Sequence, residues 1–144
     1  MLKIIVTGAD GRFGKILKKF KDKRFIFRNK TELNILSNSS IIKNLKKFKP
    51  KYILHLAGLS RPMKIHESDI SKSINLNIIG TSNLVMAASE LGIKIIYLST
   101  SYVYPGKKGN YKEEDALKPW NNYSWSKLGG ECAVQMYKNS LIIR

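Results

Sequence analysis

Tyr123-Ser124-Trp125-Ser126-Lys127 sets a phenol and an ammonium four residues apart, on one helix face and one turn from each other. That spacing carries chemistry. A cation beside a phenol favours the phenolate, which brings Tyr123 toward working pH. Tyr123 can then give a proton to a carbonyl oxygen, or take one from an alcohol, while a hydride moves at carbon. Thr100 lies in the hydroxyl-rich stretch Ser99-Thr100-Ser101 that ends an apolar run, and its hydroxyl can hold the same oxygen. Tyr-x-x-x-Lys alone describes many surface helices, so the reading needs a hydride carrier and a place to seat it.

The seat is near the N-terminus. Val6-Thr7-Gly8-Ala9-Asp10-Gly11-Arg12-Phe13-Gly14 follows the apolar run from Leu2 and opens a helical pattern. A strand entering Gly-x-x-Gly-x-x-Gly and then a helix suits a pyrophosphate. Gly8 permits the sharp turn, Gly11 lets backbone approach phosphate, and Gly14 packs the helix on the strand. Unpaired N–H groups at the helix start face the anion. In such folds the residue ending the second strand sits beside the adenine ribose. An acid there pairs with a 2′-hydroxyl, whereas a cation accommodates a 2′-phosphate. Phe25-Ile26-Phe27 ends on Arg28 with no acid, and Arg12 in the glycine loop adds a second cation. This pattern favours NADP(H) over NAD(H). Ala57 and Gly58, closing another apolar run, let a flat ring or ribose come close to the backbone.

Periodicity supplies the elements that must position these groups. Residues 2–7 read as a buried strand and 12–22 as its helix, with Phe13, Ile16, Leu17 and Phe20 on the core-facing stripe. Residues 25–27 form a second strand, and Glu32-Leu33-Asn34-Ile35 a third short strand or an ordered loop. Serines and Asn38 start a helix over 38–48, broken by Pro50. In the strand over 52–58, His55 reads as a hydrogen-bonded core histidine. Residues 59–68, with Arg61, Pro62 and His66, read as a polar loop beside the cleft. One long helix spans 69–91, with the amide Asn77 on its apolar stripe and Gly92 as its cap. The strand over 93–98 is nearly continuous in apolar residues, as in a parallel sheet covered on both faces. After a loop over 105–119, a last helix spans 123–138, where Trp125 reads as core. Residues 140–144 begin a further strand. The alternation predicts one α/β domain over 1–144, a three-layer Rossmann fold with a parallel sheet, helices on both faces and ligand at the C-terminal strand ends.

The net charge of +16 raises the alternative of a nucleic-acid surface. Lysine outnumbers arginine about four to one, whereas readers of bases and phosphates favour arginine forks. The lysine clusters at 15–23 and 43–51 alternate with apolar residues at helical spacing, so they read as solvated helix faces. The single cysteine, Cys132, fits a reducing cytoplasm, and no apolar run is long enough to cross a bilayer. No metal-ligand spacing is present.

Taken together, Thr7–Gly14, Glu32-Leu33-Asn34-Ile35, His55-Leu56-Ala57-Gly58, Asn77 with Gly80-Thr81, Ser99–Gly106 and Tyr123–Glu131 resemble the extended short-chain dehydrogenase/reductases. Within that superfamily they are similar to the dTDP-4-dehydrorhamnose reductase-like sugar-nucleotide group. The resemblance covers the whole chain in order. It implies Thr100, Tyr123 and Lys127 as a catalytic triad supported by Asn77. It implies cofactor contacts from Gly8, Asp10, Gly11, Arg12, Phe13, Gly14, Arg28, Asn34, Leu56, Ala57 and Gly58, with Tyr123 and Lys127 at the nicotinamide end. The implied activity is that of a reductase or epimerase core acting on a nucleotide-linked keto sugar. The alternative is a non-catalytic NAD(P)-binding regulatory subunit or inactive fragment. Pairing of two copies through the two long helices is a further expectation. Two departures stand out. Ser101 occupies the place of an acid in rhamnose-type reductases, and the chain stops at Arg144, on what reads as the sixth strand, where such proteins continue for a comparable length.

Overall fold

A computed structural model describes residues 1–144. The β-branched and aromatic runs form β1 (Ile4–Thr7), β2 (Phe25–Arg28), β3 (Tyr52–His55), β4 (Lys94–Leu98) and β5 (Ser140–Ile143). All pair in parallel in the order β2-β1-β3-β4-β5. The register sets Thr7 beside both Arg28 and His55, and His55 beside Tyr97. The strand ends that carry the candidate residues therefore lie along one rim. The order reverses between β1 and β3, which opens a crevice at that rim.

The connecting helices are α1 (Arg12–Lys18), α2 (Asn38–Phe48), α3 (Ile65–Ser68), α4 (Ile70–Ser73), α5 (Gly80–Glu90) and α6 (Asn122–Gln135). Right-handed crossovers decide their sides. The chain steps one way from β1 to β2 and the other way at every later crossover, so α1 lies alone on one face and α2, α5 and α6 share the other. The core fills that second face. Ile5, Ile53, Ile95 and Tyr97 from the strands meet Ile41, Leu45, Leu84, Ala88 and Val134 from the three helices, and all are at most 1% exposed. Helices on both faces of a parallel sheet are the expected fold.

Local departures have physical causes. Glu32–Ile35 is an ordered loop rather than a strand. Leu33 and Ile35 plug into the core, while Glu32 accepts the Asn29 amide and Asn34 accepts that of Leu36. The last strand is thus the fifth, not the sixth. The first helix stops at Lys18, and Lys21 then adopts a left-handed φ of 51°. Most of its expected core stripe faces outward: Phe13, Ile16 and Phe20 are 47%, 50% and 72% exposed, and only Leu17 is half-buried. The helix has only seven residues, no neighbouring helix covers it, and its buried Gly14 packs on Ala9, just after β1. Part of the expected 59–68 loop is helical, in α3. The long helix runs from Ile70 to Glu90 but widens to a π turn over Ile74–Ile79. The last helix ends at Gln135, and Trp125, expected in the core, is 55% exposed.

This division between faces predicts unequal mutational costs. Leu84→Ala, at 0% exposure, should lower unfolding free energy by about 2–5 kcal/mol. Ile16→Ser should cost less than about 0.5 kcal/mol. Urea midpoints for the two variants check this, and equal losses would contradict the assignment.

Candidate active site

At the crevice between β1 and β3 two backbones come together. Gly8 has φ of 67°, and a Cβ there would stand 2.7 Å from the Ala57 nitrogen. A Cβ on Gly14 would stand 2.6 Å from the Ala9 carbonyl oxygen. Only glycine fits either place. The Gly11 amide donates to the Gly8 carbonyl at 2.9 Å, which closes the turn.

A buried chain of polar groups holds the crevice from below. The Thr81 hydroxyl donates to the Asn77 carbonyl at 2.8 Å, so its oxygen accepts from His55 Nε2–H at 3.0 Å. That leaves His55 Nδ1 to accept from the Thr7 hydroxyl at 2.9 Å. The Thr7 oxygen in turn accepts the amides of Leu56 at 3.2 Å and Ala57 at 3.1 Å. The network assigns one tautomer, with the proton on Nε2. Burial, and secondarily the Lys127 charge, pushes the imidazole down to about 3. The expectation of a hydrogen-bonded core histidine holds.

The π turn aims Asn77 into the core at 1% exposure. Its amide nitrogen donates to the Leu59 carbonyl and to Ser126 Oγ, both at 2.8 Å, and its oxygen accepts the Leu59 amide at 2.7 Å. Ser126 Oγ donates to the Tyr123 carbonyl at 2.7 Å. Asn77 thus ties the β3 loop to the first turn of α6, and its polar groups are taken up by these bonds. A Cβ on Gly58 would meet the Asn77 oxygen at 2.8 Å.

The same turn of α6 is fixed from outside. Asn121 and Ser124 form a reciprocal capping box. Glu67 accepts the Asn122 amide at 3.2 Å and its side-chain nitrogen at 2.7 Å. The buried His66 ring lies edge-on to Tyr123, with centroids 5.1 Å apart, and its Nδ1 pairs with Ser73 Oγ at 2.7 Å. Tyr123 emerges half-buried. Burial pushes its phenol up, while the nearby Thr100 hydroxyl draws it down. This reverses the expectation that Lys127 brings the phenol toward neutrality. The Lys127 ammonium is turned away, donating to the Leu98 carbonyl at 2.8 Å and lying 4.1 Å from the Tyr97 ring centre. Burial pushes Lys127 down to about 8, and the Glu131 carboxylate pulls it back up. At neutral pH the arrangement offers a protonated phenol beside a largely charged amine.

The structure brings Thr100, Tyr123 and Lys127 to the rim where β4 meets α6. Other expected residues are engaged elsewhere. Asp10 pairs with Lys18 at 3.2 Å on an exposed surface, and Phe13 faces outward. Arg28 donates to Glu32 at 2.9 Å and lies over the Phe48 ring at 4.2 Å, so its charge is already matched. Asn34 shapes its own loop. Arg12 is exposed. A 460 Å³ hollow lined by Tyr102, Tyr104, Tyr111 and Trp120 adjoins Tyr123, whose ring stands 6.1 Å from that of Tyr102. A larger hollow of 1,070 Å³ runs along the free edge of β5 and includes none of the three. Sequence reasoning assigned nothing to Ser126, Glu67, Glu131 or Arg144. Glu131 had a signal, since Tyr123, Lys127 and Glu131 recur every four residues.

Residues 2–144 match the family described as RmlD substrate binding domain. Among curated proteins, the chain is 34% identical over 140 residues to methionine adenosyltransferase 2 subunit beta of Xenopus laevis, covering 42% of that protein. It is 30% identical over 150 residues to dTDP-4-dehydrorhamnose reductase of Aggregatibacter actinomycetemcomitans, covering 51% of it. A solved dTDP-4-dehydrorhamnose reductase of Bacillus anthracis, in complex with NADP, superposes with a TM-score of 0.90 at 28% identity. That match covers 100% of this chain and 53% of the other. The Thermus thermophilus UDP-glucose 4-epimerase complex with NAD shares the fold, with a TM-score of 0.86 at 17% identity. The chain spans about half the length of these relatives.

The His55 network sets a pH dependence. Its folded value lies far below the ordinary 6.5, so only the unfolded chain takes up this proton between those limits. Its contribution to stability is complete above pH 6.5 and drains as pH falls toward about 3, at up to about 1.4 kcal/mol per unit. Imidazole ¹⁵N spectra should show a neutral Nε2–H ring from pH 5 to 8. A titration near 6.5 in the folded chain would contradict the network.

Proposed function

The chain belongs to the RmlD substrate binding domain family, and from that premise we propose that residues 1–144 form the NADP(H)-binding core of a reductase or epimerase acting on a nucleotide-linked keto sugar. The observation that carries this reading is the meeting of Tyr123 and Lys127 on α6 with Thr100 at the end of β4. Support for a nicotinamide dinucleotide in the crevice comes from its glycine turn, where Gly8 packs on Ala57, Gly14 packs on Ala9 and Gly11 is exposed at the helix start. When bound, such a cofactor supplies or accepts the hydride.

The chain's own groups do the rest. Tyr123 donates a proton to the keto oxygen, or removes one from the alcohol in reverse. Thr100 holds that oxygen by hydrogen bonding. Lys127 adds positive charge one turn behind the phenol and would hold the ribose next to the nicotinamide ring if its ammonium left the Leu98 carbonyl. Asn77 acts at one remove, by anchoring the first turn of α6. Preference for NADP(H) is supported by Arg12 and by the cation at the end of β2. Arg28 is paired with Glu32 while Arg12 is exposed, so Arg12 would be the freer cation for a 2′-phosphate. The hollow walled by Tyr102 and Trp120 suits the substrate side of Tyr123.

Pairing of two copies fits the exposed apolar side chains on the outer helices. Ile79 and Met86 are 43% and 55% exposed, as is Trp125 at 55%. The second reading, a cofactor-binding subunit without turnover, draws on the likeness to a protein named as a subunit.

Tyr123→Phe should cut NADPH-dependent reduction of a dTDP-4-keto sugar by about 10²-fold or more. NADPH affinity, measured by cofactor fluorescence, should change less than about twofold. Tight NADPH binding with no turnover in the unsubstituted chain would favour the subunit reading, and no binding of either nicotinamide would end both. Light scattering should report a dimer that Trp125→Glu converts to monomer; a monomer from the outset would remove the pairing.

A further inference from the structure

One buried carboxylate near the site has no part in the chemistry above. Glu131 sits one turn beyond Lys127 on α6 and is 2% exposed. Removing a carboxylate from water costs several kcal/mol unless its oxygens are well matched. Here three elements match them. The Arg144 guanidinium, following β5, donates to Glu131 through Nη2 at 2.8 Å and through Nε at 3.1 and 3.2 Å. The Ser99 hydroxyl, the residue before Thr100, donates a short hydrogen bond to the same carboxylate. Arg144 is itself anchored, with Nη1 donating to the Tyr104 hydroxyl at 2.9 Å and to the Glu113 carbonyl at 3.2 Å.

We infer that Glu131 is a positioning residue that acts through Lys127, held between Ser99 and Arg144 so that one negative charge stays fixed one turn from the amine on the same helix face. The inference rests on the proposed role of Lys127. Charged or titratable groups reach Lys127 from every packed side. Tyr97 faces it from β4, His55 from β3, Tyr123 and Glu131 from its own helix, and Arg144 from β5 by way of Glu131. Tyr97 and His55 are neutral through the physiological range, since burial pushes the phenol up and the imidazole down. Glu131 is therefore the anion that offsets the burial of Lys127, and Arg144 tempers it. A pair that only fastened α6 to β5, too far from Lys127 to act on it, would leave the amine midpoint unmoved when either partner is lost.

The two partners should move Lys127 in opposite directions. In the ¹³Cε spectrum, with the resonance assigned by its absence in Lys127→Met, the unsubstituted chain should titrate near pH 8. Glu131→Gln should lower that midpoint by about half a unit or more, and Arg144→Met should raise it, since each removes one charge of opposite sign. Shifts of the same sign, or no shift in either folded variant, would overturn the inference. Should Glu131→Gln fail to give a folded amide spectrum, Arg144→Met decides alone: a rise supports the inference and an unmoved midpoint overturns it. No cofactor or substrate is needed, so the outcome is separate from whether the proposed reaction occurs.

Discussion

The close approach of Gly8 to Ala57 is the constraint on which the rest of this structure depends. Two backbones meet where the sheet reverses direction, and a single methyl group at Gly8 would collide with three backbone atoms. Such contact leaves main-chain amides in need of partners. Thr7 supplies one oxygen for two of them, and His55 orients the Thr7 hydroxyl from the core. An imidazole there is useful because it accepts at one nitrogen and donates at the other, joining β1 to the long helix through Thr81. The cradle is thus supported from below by buried groups, Thr7, His55 and Thr81.

A second tension lies in α6. Its Tyr123, Lys127 and Glu131 line one face at four-residue spacing, and that face is turned toward β4 rather than water. Burying an ammonium and a carboxylate on one helix is unfavourable unless each finds partners. Lys127 finds the Leu98 carbonyl and the face of Tyr97, while Glu131 finds Arg144 and Ser99. These contacts join the helix to the ends of β4 and β5. They also hold the Thr100 strand end beside the phenol.

The features legible in the sequence are those fixed by local spacing. Three glycines after a strand, a phenol and an amine one turn apart, and apolar runs alternating with helical stripes each follow from residues within about ten positions of one another. The fold and the Tyr123–Lys127 pair follow from these, whereas Thr100, distant from Tyr123 in sequence, is placed by the strand–helix order and the family resemblance. What escaped depends on distant partners. The outward turn of Phe13 and Ile16 follows from the absence of a flanking helix, which no local pattern reports. Leu33 and Ile35 look like a strand because they are buried, yet side-chain bonds from Glu32 and Asn34 shape a loop. The direction of the Tyr123 shift was misjudged because burial outweighs a cation whose ammonium is committed to a carbonyl. The pairing of Arg28 with Glu32 was overlooked because the acid follows the strand end by four residues instead of occupying it.

We propose the rim from Gly8 to Lys127 as a nicotinamide-dinucleotide site. Backbone amide shifts recorded while NADPH is titrated into the ¹⁵N-labelled chain test it most directly. The largest changes should fall on residues 8–14, on Ala57 and Gly58, and on the first turns of α6. Largest changes along the β5 edge hollow near Tyr111 and Leu141, or no saturable change at all, would contradict it.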